Sequence, residues 1–251
     1  MVPGAADQIL RTLEHFGFEW DGPIVWQSQR TSHYASATDA LAAQDLIYPC
    51  SCSRRELSAA ARGSDVDAND EPYYPGHCRN GPRRAGVPLA LRCRAGDRDL
   101  SVTDGLQGVC VHNVGREVGD FVVRRRDGLH AYQLAVVVDD AEQGITEVVR
   151  GCDLLSSTPR QMLLQEALGL PQPRYLHLPL LVEADGRKLA KSRRSVEISA
   201  ADAAAQLHAV LSCLGQEPPA ALARAQPGEV MSWAIRNWDV SPLRGRREVR
   251  L

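Results

Sequence analysis

The chain has 251 residues, of which 44% are apolar and 24% charged, and its formal net charge is −2. These ordinary proportions predict a sizeable hydrophobic core, and the near-neutral charge argues against a protein that binds nucleic acid broadly and without specificity. The sequence contains no 18-residue apolar run and no basic, apolar leader at its start, so we expect a cytoplasmic protein without a membrane span.

The first part of the chain is predicted to be helical. Apolar residues at helical spacing, from Ile9 to Phe16, indicate a helix over residues 5–16, which Gly17 ends. A second helix is predicted over residues 32–45. A start with two helices and no strand is unusual for a protein of the α/β class.

The cysteines predict free thiols or a metal site. Seven unevenly spaced cysteines in a chain without a visible leader do not indicate a disulfide framework. Cys50 and Cys52, followed by Cys78, can present three thiolates to a zinc ion, with Tyr74 or His77 as the fourth ligand. General chemistry favours the histidine at this point, and the alternative is three buried, inert cysteines.

The middle of the chain is predicted to carry strands. Short apolar runs between residues 89 and 123 indicate a small mixed or antiparallel sheet. Residues 131–140 fit a helix or a strand equally well, because the valines favour a strand while Leu134 and Val137 share a helix face. Residues 145–149 predict a strand with Arg150 at its carboxyl end, where open α/β sheets bind ligands.

A strand–helix–strand unit is predicted next. Thr158 is expected to cap a helix that begins at Pro159 and that Gly169 ends. Apolar runs over residues 175–182 then complete the unit. Beyond Ser199 the periodicity predicts three helices, the second of them opened by the proline pair 218–219.

The lysines mark a candidate phosphate site. Only two of the 29 basic residues are lysines, and both, Lys188 and Lys191, lie in the loop 187–192. A lysine ammonium is a compact, mobile charge that suits a phosphate oxygen. The alternative is a solvated loop that happens to contain both lysines.

Taken in this order, the cysteine motif, the segment 132–150 and the loop 188–192 resemble the glutamyl-specific class I aminoacyl-tRNA synthetases. The likeness covers nearly the whole chain, and it is greatest to the short paralogues that activate glutamate with ATP and transfer it to queuosine in the anticodon of tRNA(Asp). It implies an α/β fold with a Rossmann-type core that lacks its first βα unit. The implied parts are a first part of the core (1–46), an inserted zinc and small-sheet module (47–129), the second half of the core (130–195) and a helical C-terminal region (196–251).

The resemblance also implies roles for individual residues. Lys191 is expected to contact ATP, with Lys188 in the same signature and Mg²⁺ bound to the nucleotide. Tyr132 and Arg150 are expected to hold glutamate, since a guanidinium can grip an α-carboxylate bidentately and a phenol can orient it. The structural alternatives are a buried ion-pair arginine and a core tyrosine. For zinc, the resemblance favours Tyr74 over the histidine beside Cys50, Cys52 and Cys78.

The sequence departs from the family at its start. Members begin with a βα unit that carries a first ATP signature and an Arg-x-Glu-Asp segment for glutamate, whereas residues 3–6 correspond to the chain just after that unit. We therefore expect either a start codon placed too late or a real truncation, and we expect ligase activity if the missing N-terminus is supplied. The alternatives to an active ligase are a noncatalytic or vestigial tRNA-binding fragment and a fragment of glutamyl-tRNA synthetase. The expected partners are glutamate, ATP and tRNA(Asp), for a monomeric protein.

Overall fold

The computed structural model describes residues 3–53, 55–57, 73–183, 198 and 202–250. Its α-helices are α1 (Ala5–His15), α2 (Thr31–Ala43), α3 (Val114–Glu117), α4 (Tyr132–Glu142), α5 (Thr158–Leu168), α6 (Ala203–Cys213) and α7 (Pro227–Asn237). Its strands are β1 (Ile47–Cys50), β2 (Ala90–Cys93), β3 (Leu100–Asp104), β4 (Gly108–His112), β5 (Phe121–Arg124), β6 (Glu147–Gly151), β7 (Arg174–Leu178), β8 (Leu180–Val182) and β9 (Glu248–Arg250). The lysine loop, with Lys188 and Lys191, lies outside the described residues.

The described strands form three sheets. An antiparallel sheet has the order β1-β2-β5, a mixed sheet has the order β4-β3-β7-β6, and β8 pairs with β9 in parallel. In the mixed sheet β7 runs parallel to both β3 and β6, and β4 is an antiparallel edge strand. Because α5 connects the parallel neighbours β6 and β7, the predicted strand–helix–strand unit is confirmed, and so is the α/β class.

Helix α4 settles the question that periodicity left open for residues 131–140. Leu134, Ala135 and Val137 are buried on one face of this helix, and Asp139 is buried near its end. Asp139 accepts hydrogen bonds from the hydroxyl of Tyr34, in the first turn of α2, and from Arg30, the residue before that helix. Tertiary packing and this buried polar anchor outweigh the strand preference of the valines.

The main hydrophobic core joins the antiparallel sheet to the helices around it. It combines side chains from α2, α3, α4 and α5 with side chains from the three strands of this sheet and from the turn before β3. Its buried members are Leu41, Ile47, Cys93, Ala95, Val114, Phe121, Val123, Leu134, Val137 and Leu164. The start of α4, and with it Tyr132, is therefore fixed against the same core as the small sheet.

The C-terminal region is mostly helical, as predicted, and has its own small core, but strand β9 near its end was not predicted. Phe16, at the end of α1, packs there with Leu207 and Leu211 of α6 and Val230 of α7. The proline pair does not open an α-helix as expected, since a short 3₁₀ turn (Ala220–Arg224) follows it. Among the described helices, none is long and apolar enough to cross a membrane.

Candidate functional site

Three neighbouring strands of the mixed sheet end at one edge, and each brings a polar side chain to it. Arg150 of β6 lies opposite His177 of β7 in the parallel register, and Asp104 ends β3 on the other side of β7. Carboxyl ends of parallel strands form the usual ligand-binding edge of such sheets. Tyr132, the first residue of α4, reaches the same edge.

The structure brings the predicted glutamate pair together. Arg150 Nη1 lies 3.5 Å from the Tyr132 hydroxyl, at the outer limit of a hydrogen bond. Its Nε donates to His177 Nε2 at 3.0 Å, and its Nη2 donates to Thr158 Oγ1 at 2.8 Å and to the Leu154 carbonyl at 3.3 Å. Because Nε and Nη2 already donate hydrogen bonds to the protein, a carboxylate would bind to Nη1 and the Tyr132 hydroxyl. The expected bidentate contact with two nitrogens of Arg150 would require these bonds to break.

Neither structural alternative for this pair fits the geometry. Tyr132 is 45% exposed, so it is not a core aromatic. Arg150 has no ion pair with a carboxylate of the described residues, and its guanidinium carbon lies 5.3 Å from the Tyr175 ring centroid. A positive charge that neutral groups hold in place remains available to an anion.

Thr158 has a different role from the predicted one. It is the first residue of α5, and Ser157 precedes it without a side-chain hydrogen bond to the helix. The Thr158 hydroxyl is fully enclosed and accepts from Arg150, and it also lies 3.3 Å from His177 Nε2. The helix start thus supports the guanidinium and takes no capping bond from this threonine.

A buried carboxylate–imidazole pair, which the sequence reasoning missed, lies behind Arg150. His177 Nδ1 is 2.6 Å from Asp104 Oδ2, and both side chains are fully enclosed. Burial, together with the charge of Arg150, lowers the pKa of His177 against the opposing hydrogen bond of Asp104. A histidine between leucines in an apolar run was the available signal.

The Asp104 carboxylate is held ionised by its neighbours. Burial raises its pKa, but hydrogen bonds from the His177 ring and from the backbone N–H groups of Gln107, Leu106 and His177 outweigh burial and lower it. These donors satisfy the charge where water is excluded. The Asp104–His177 pair is therefore held in place by hydrogen bonds, directly behind Arg150.

The predicted metal ligands lie in a second cluster, about the end of β1. The sulfurs of Cys50, Cys52 and Cys78 all lie within 4.8 Å of one another, and this set is called the cysteine cluster below. The Cys52 and Cys78 sulfurs are 3.6 Å apart, close to the roughly 3.8 Å separation that tetrahedral coordination with Zn–S bonds of about 2.3 Å requires. The residues therefore fit a tetrahedral zinc ion.

The Tyr74 hydroxyl lies closer to the three sulfurs than the His77 ring does, although sequence chemistry favoured the histidine. The Tyr74 hydroxyl is 3.3 Å from the Cys50 sulfur and 4.0 Å from the Cys52 sulfur, and it accepts a 2.8 Å hydrogen bond from the Cys78 backbone N–H. His77 does not bring a ring nitrogen within 4.8 Å of all three sulfurs. The geometry agrees with the family resemblance against the preference of general chemistry.

Charge is crowded at the cysteine cluster. Although burial raises it, backbone hydrogen bonds from Ser51 and Arg83 lower the pKa of Cys78 to about 6. Burial, followed by the hydrogen bond with Cys78 and the charge of Cys50, raises the pKa of Cys52 to about 11. The three thiols do not all ionise readily together, because their negative charges repel one another. A divalent cation bound between them would offset this repulsion.

Backbone contacts from the β5 side hold Tyr74 in position. Tyr74 forms an isolated parallel bridge with Gly119, and its N–H donates to the Val118 carbonyl at 2.9 Å. A Cβ on Gly119 would lie 2.0 Å from the Tyr74 carbonyl oxygen, and the φ of Gly119 is +76°. Only glycine permits this approach without displacement.

Comparison with known proteins assigns the family. The family of "tRNA synthetases class I (E and Q), catalytic domain" matches residues 1–211. A glutamyl-Q tRNA(Asp) synthetase of Ectopseudomonas mendocina (strain ymp) is 52% identical over 238 residues, which are 95% of this chain and 77% of that relative. One of Pseudomonas aeruginosa (PAO1) is 50% identical over 242 residues, which are 96% of this chain and 79% of the relative.

A solved structure shows the same fold. The glutamate–tRNA synthetase of Elizabethkingia anophelis superposes with a TM-score of 0.75 at 24% sequence identity. The match covers all of this chain, which spans 58% of the length of that protein. With a family match over most of the chain and relatives at half identity, the chain belongs to the class I tRNA synthetases of the E and Q type and, among these ligases, to the glutamyl-Q tRNA(Asp) synthetases.

Proposed function

We propose that the chain binds glutamate at Arg150 and Tyr132 and serves its ATP-dependent activation and transfer to queuosine in the anticodon of tRNA(Asp). The observation that carries the proposal is an arginine held by neutral groups, with Nη1 beside an exposed phenol at the ligand-binding edge of the sheet. The relatives that bear the name glutamyl-Q tRNA(Asp) synthetase are half identical to this chain.

The proposed chemistry is adenylation. A carboxylate oxygen of glutamate attacks the α-phosphorus of ATP, the bond to the bridging oxygen of the β-phosphate breaks, and pyrophosphate leaves. Lys188 and Lys191, with ATP-bound Mg²⁺, stabilise the negative charge that develops on the phosphate oxygens. Arg150 and Tyr132 orient the amino acid, which lowers the entropic part of the barrier.

The test is glutamate-dependent ATP–pyrophosphate exchange, followed by transfer of labelled glutamate to three RNAs. Transfer is expected to tRNA(Asp) that contains queuosine, and not to tRNA(Asp) without it or to tRNA(Glu). Charging of tRNA(Glu) would favour a fragment of glutamyl-tRNA synthetase. Glutamate binding without any exchange would favour the noncatalytic alternative.

The contact with glutamate has its own test. Replacing Arg150 with alanine should weaken glutamate binding at least tenfold, because a charge-assisted hydrogen bond is worth about 1.5–3 kcal/mol. Glutamine serves as the comparison ligand. If Arg150 holds the α-carboxylate, as the resemblance implies, both ligands weaken equally; a loss confined to glutamate would contradict the α-carboxylate assignment and indicate the side-chain carboxylate.

We further propose that Cys50, Cys52, Tyr74 and Cys78 hold one structural zinc ion. The spacing of the three sulfurs and the approach of the Tyr74 hydroxyl support this set. A closed four-ligand site of this kind stabilises the fold and takes no part in the reaction. Because the site lies at the end of β1, we place it in the proposed small-sheet module.

Elemental analysis tests the zinc proposal. The purified protein should contain about one zinc per chain, and Cys78→Ser should lose it while Cys213→Ser, at a cysteine far from the cluster in sequence, keeps it. Tyr74→Phe should weaken zinc retention during dialysis against a chelator, and His77→Ala should not. A zinc-free folded protein, or the reverse order of these two variants, would refute the proposed set.

We also propose a cytoplasmic location, a monomeric state, and module boundaries at residues 46, 129 and 195. All seven cysteines are free, which suits a reducing compartment. Light scattering of the purified chain tests the monomeric state, and limited proteolysis tests the boundaries.

A further inference from the structure

The Asp104–His177 pair takes no direct part in the proposed binding and activation of glutamate. Both side chains are fully enclosed, so neither is exposed to ATP or tRNA. The pair nevertheless touches the proposed glutamate site at one point, where Arg150 Nε donates to His177 Nε2 at 3.0 Å. Three adjacent strands thus form one line of contacts that ends at the guanidinium.

The direction of each hydrogen bond in this line is fixed by chemistry. A guanidinium can only donate, so His177 Nε2 must accept and carry no proton. The ring proton then lies on Nδ1, and it is donated to Asp104 Oδ2, 2.6 Å away. Asp104 is tied down in turn, since its Oδ1 accepts from the backbone N–H groups of Leu106 and Gln107 at 2.9 and 2.8 Å.

This order has a consequence for Arg150. Its Nε–H bond lies in the guanidinium plane, so a fixed acceptor at Nε sets the rotation of the whole group. Thr158 Oγ1, 2.8 Å from Nη2, fixes the second nitrogen. Nη1 is then directed to the side of the Tyr132 hydroxyl, the side on which the carboxylate is proposed to bind.

We propose that Asp104 and His177 are positioning residues for glutamate recognition, in which the buried pair holds the Arg150 guanidinium in the orientation that presents Nη1 and the Tyr132 hydroxyl to the substrate carboxylate. The inference rests on the proposed binding of glutamate at Arg150. Neither positioning residue touches the substrate. Their effect on glutamate affinity passes through the nitrogen Nε of Arg150.

Two substitutions of His177 separate positioning from simple packing. The amide oxygen of Gln occupies about the place of Nε2 and keeps the acceptor for Arg150, whereas the amide nitrogen of Asn occupies about the place of Nδ1 and keeps only the donor to Asp104. His177→Asn should weaken glutamate binding about tenfold, and His177→Gln should leave it within about threefold. A packing role alone would make affinity follow thermal stability in both variants.

Asp104→Asn provides a second variant that conserves shape. Its amide nitrogen would face His177 Nδ1 as a donor, so the imidazole would keep its proton on Nε2 and oppose the N–H of Arg150. Such a change of tautomer at a buried carboxylate–histidine pair is known to disable a site without distorting it. We expect about tenfold weaker glutamate binding. In ¹⁵N spectra of the labelled protein, the His177 ring proton should move from Nδ1 to Nε2.

The experiment measures the glutamate dissociation constant by calorimetry for the wild-type chain and for His177→Asn, His177→Gln, Asp104→Asn and Arg150→Lys. The first three variants are also each combined with Arg150→Lys. The effects of His177→Asn and Asp104→Asn should disappear in the Arg150→Lys background, since coupled residues are not additive. His208→Asn, on α6, is the matched control and should bind glutamate as the wild type does.

The outcomes distinguish a failure of the proposed function from a failure of the positioning role. If Arg150→Lys leaves glutamate affinity unchanged, the proposed function fails and the positioning role with it. If Arg150→Lys weakens glutamate but His177→Asn and Asp104→Asn do not, the proposed function stands and the positioning role is wrong. If their effects persist in the Arg150→Lys background, the pair acts on something other than Arg150 and the inference is likewise wrong.

Discussion

At the scale of single residues, some groups of the site could be predicted from the sequence and others could not. Arg150 lies at the end of a predicted strand, and its partner Tyr132 follows from the family resemblance. Their proximity is borne out by the 3.5 Å contact, while their role in binding glutamate stays a prediction. The hydroxyl of Tyr132 is the part of this pair that can be removed without changing charge.

Tyr132→Phe should weaken glutamate binding about tenfold, because a hydrogen bond to a carboxylate is lost and no cavity is created. The stability of the fold should be unchanged, since the ring is 45% exposed. Calorimetric titration with glutamate checks the first point and thermal unfolding the second. Tyr73→Phe is the matched control, because Tyr73 is 46% exposed. Equal affinity in both variants would remove Tyr132 from the site.

The support for Arg150 could not be predicted from residue types alone. His177 and Asp104 are 73 positions apart, and Thr158 was expected to cap a helix. Their meeting depends on the strand order β3-β7-β6, which is a long-range property of the sheet. The local hydrophobic pattern predicts that a strand is buried, but it does not predict which strands pair with each other.

At the scale of elements, Asp120 joins the segment after the cysteine cluster to the small sheet. Its buried carboxylate accepts two hydrogen bonds from Arg79, at 2.6 and 2.8 Å, and others from the Tyr48 hydroxyl and the Ala95 N–H. Burial raises the pKa of Asp120, but the bonds from Arg79 and Tyr48 outweigh burial and lower it. One side chain thus connects β1, the approach to β5 and the turn after Cys78.

Asp120→Ala should lower the free energy of unfolding by about 3 kcal/mol, because it leaves the Tyr48 hydroxyl and the Ala95 N–H without their acceptor and removes the carboxylate that pairs with the half-exposed Arg79. Urea unfolding followed by circular dichroism measures the change. The control is Glu166→Ala, which removes an ion pair with Arg98 in which both side chains are about half exposed, and it should cost less than about 1 kcal/mol. Similar losses in both variants would show that burial of Asp120 is unimportant.

The elements themselves were predicted more successfully than the contacts between them. The helical spacing located α1, α2 and α5, and the glycine after α5 adopts the left-handed conformation expected of a helix stop, with φ of 64°. Strand β3 falls within the range predicted for strands and alternates in burial, but the sequence did not show that it would pair with β7. The proline pair was misleading because two prolines also suit a short 3₁₀ turn.

At the scale of the whole molecule, buried titratable groups make stability depend on pH. Asp104 and Asp120 have pKa values lowered below 3.8, so the stability that they contribute is present above that pH and is lost as the pH falls through their folded values. His177 has its pKa lowered below 6.5 and is kept neutral. Its contribution is likewise lost as the pH falls below 6.5, since the unfolded chain takes up the proton first.

The free energy of unfolding should therefore decline in two stages, first between about pH 7 and 5 and then more steeply below about pH 4. Urea titrations at several pH values across this range measure it. In His177→Gln the first stage should be reduced, because the buried imidazole is gone. A protein that becomes more stable between pH 7 and 5 would contradict the assignment of His177 as a neutral, buried group.

The close approach of Gly119 to Tyr74 means that the turn proposed to bind zinc cannot form its ligand geometry alone. The backbone of Tyr74 is held by backbone 45 positions later in the chain, so an excised peptide with all four ligands would lack the contacts that hold this residue in place. Uptake of the ion during synthesis would then wait until the polypeptide beyond residue 119 has emerged. In this respect the module differs from a zinc finger, which folds around its metal with no help from distant sequence.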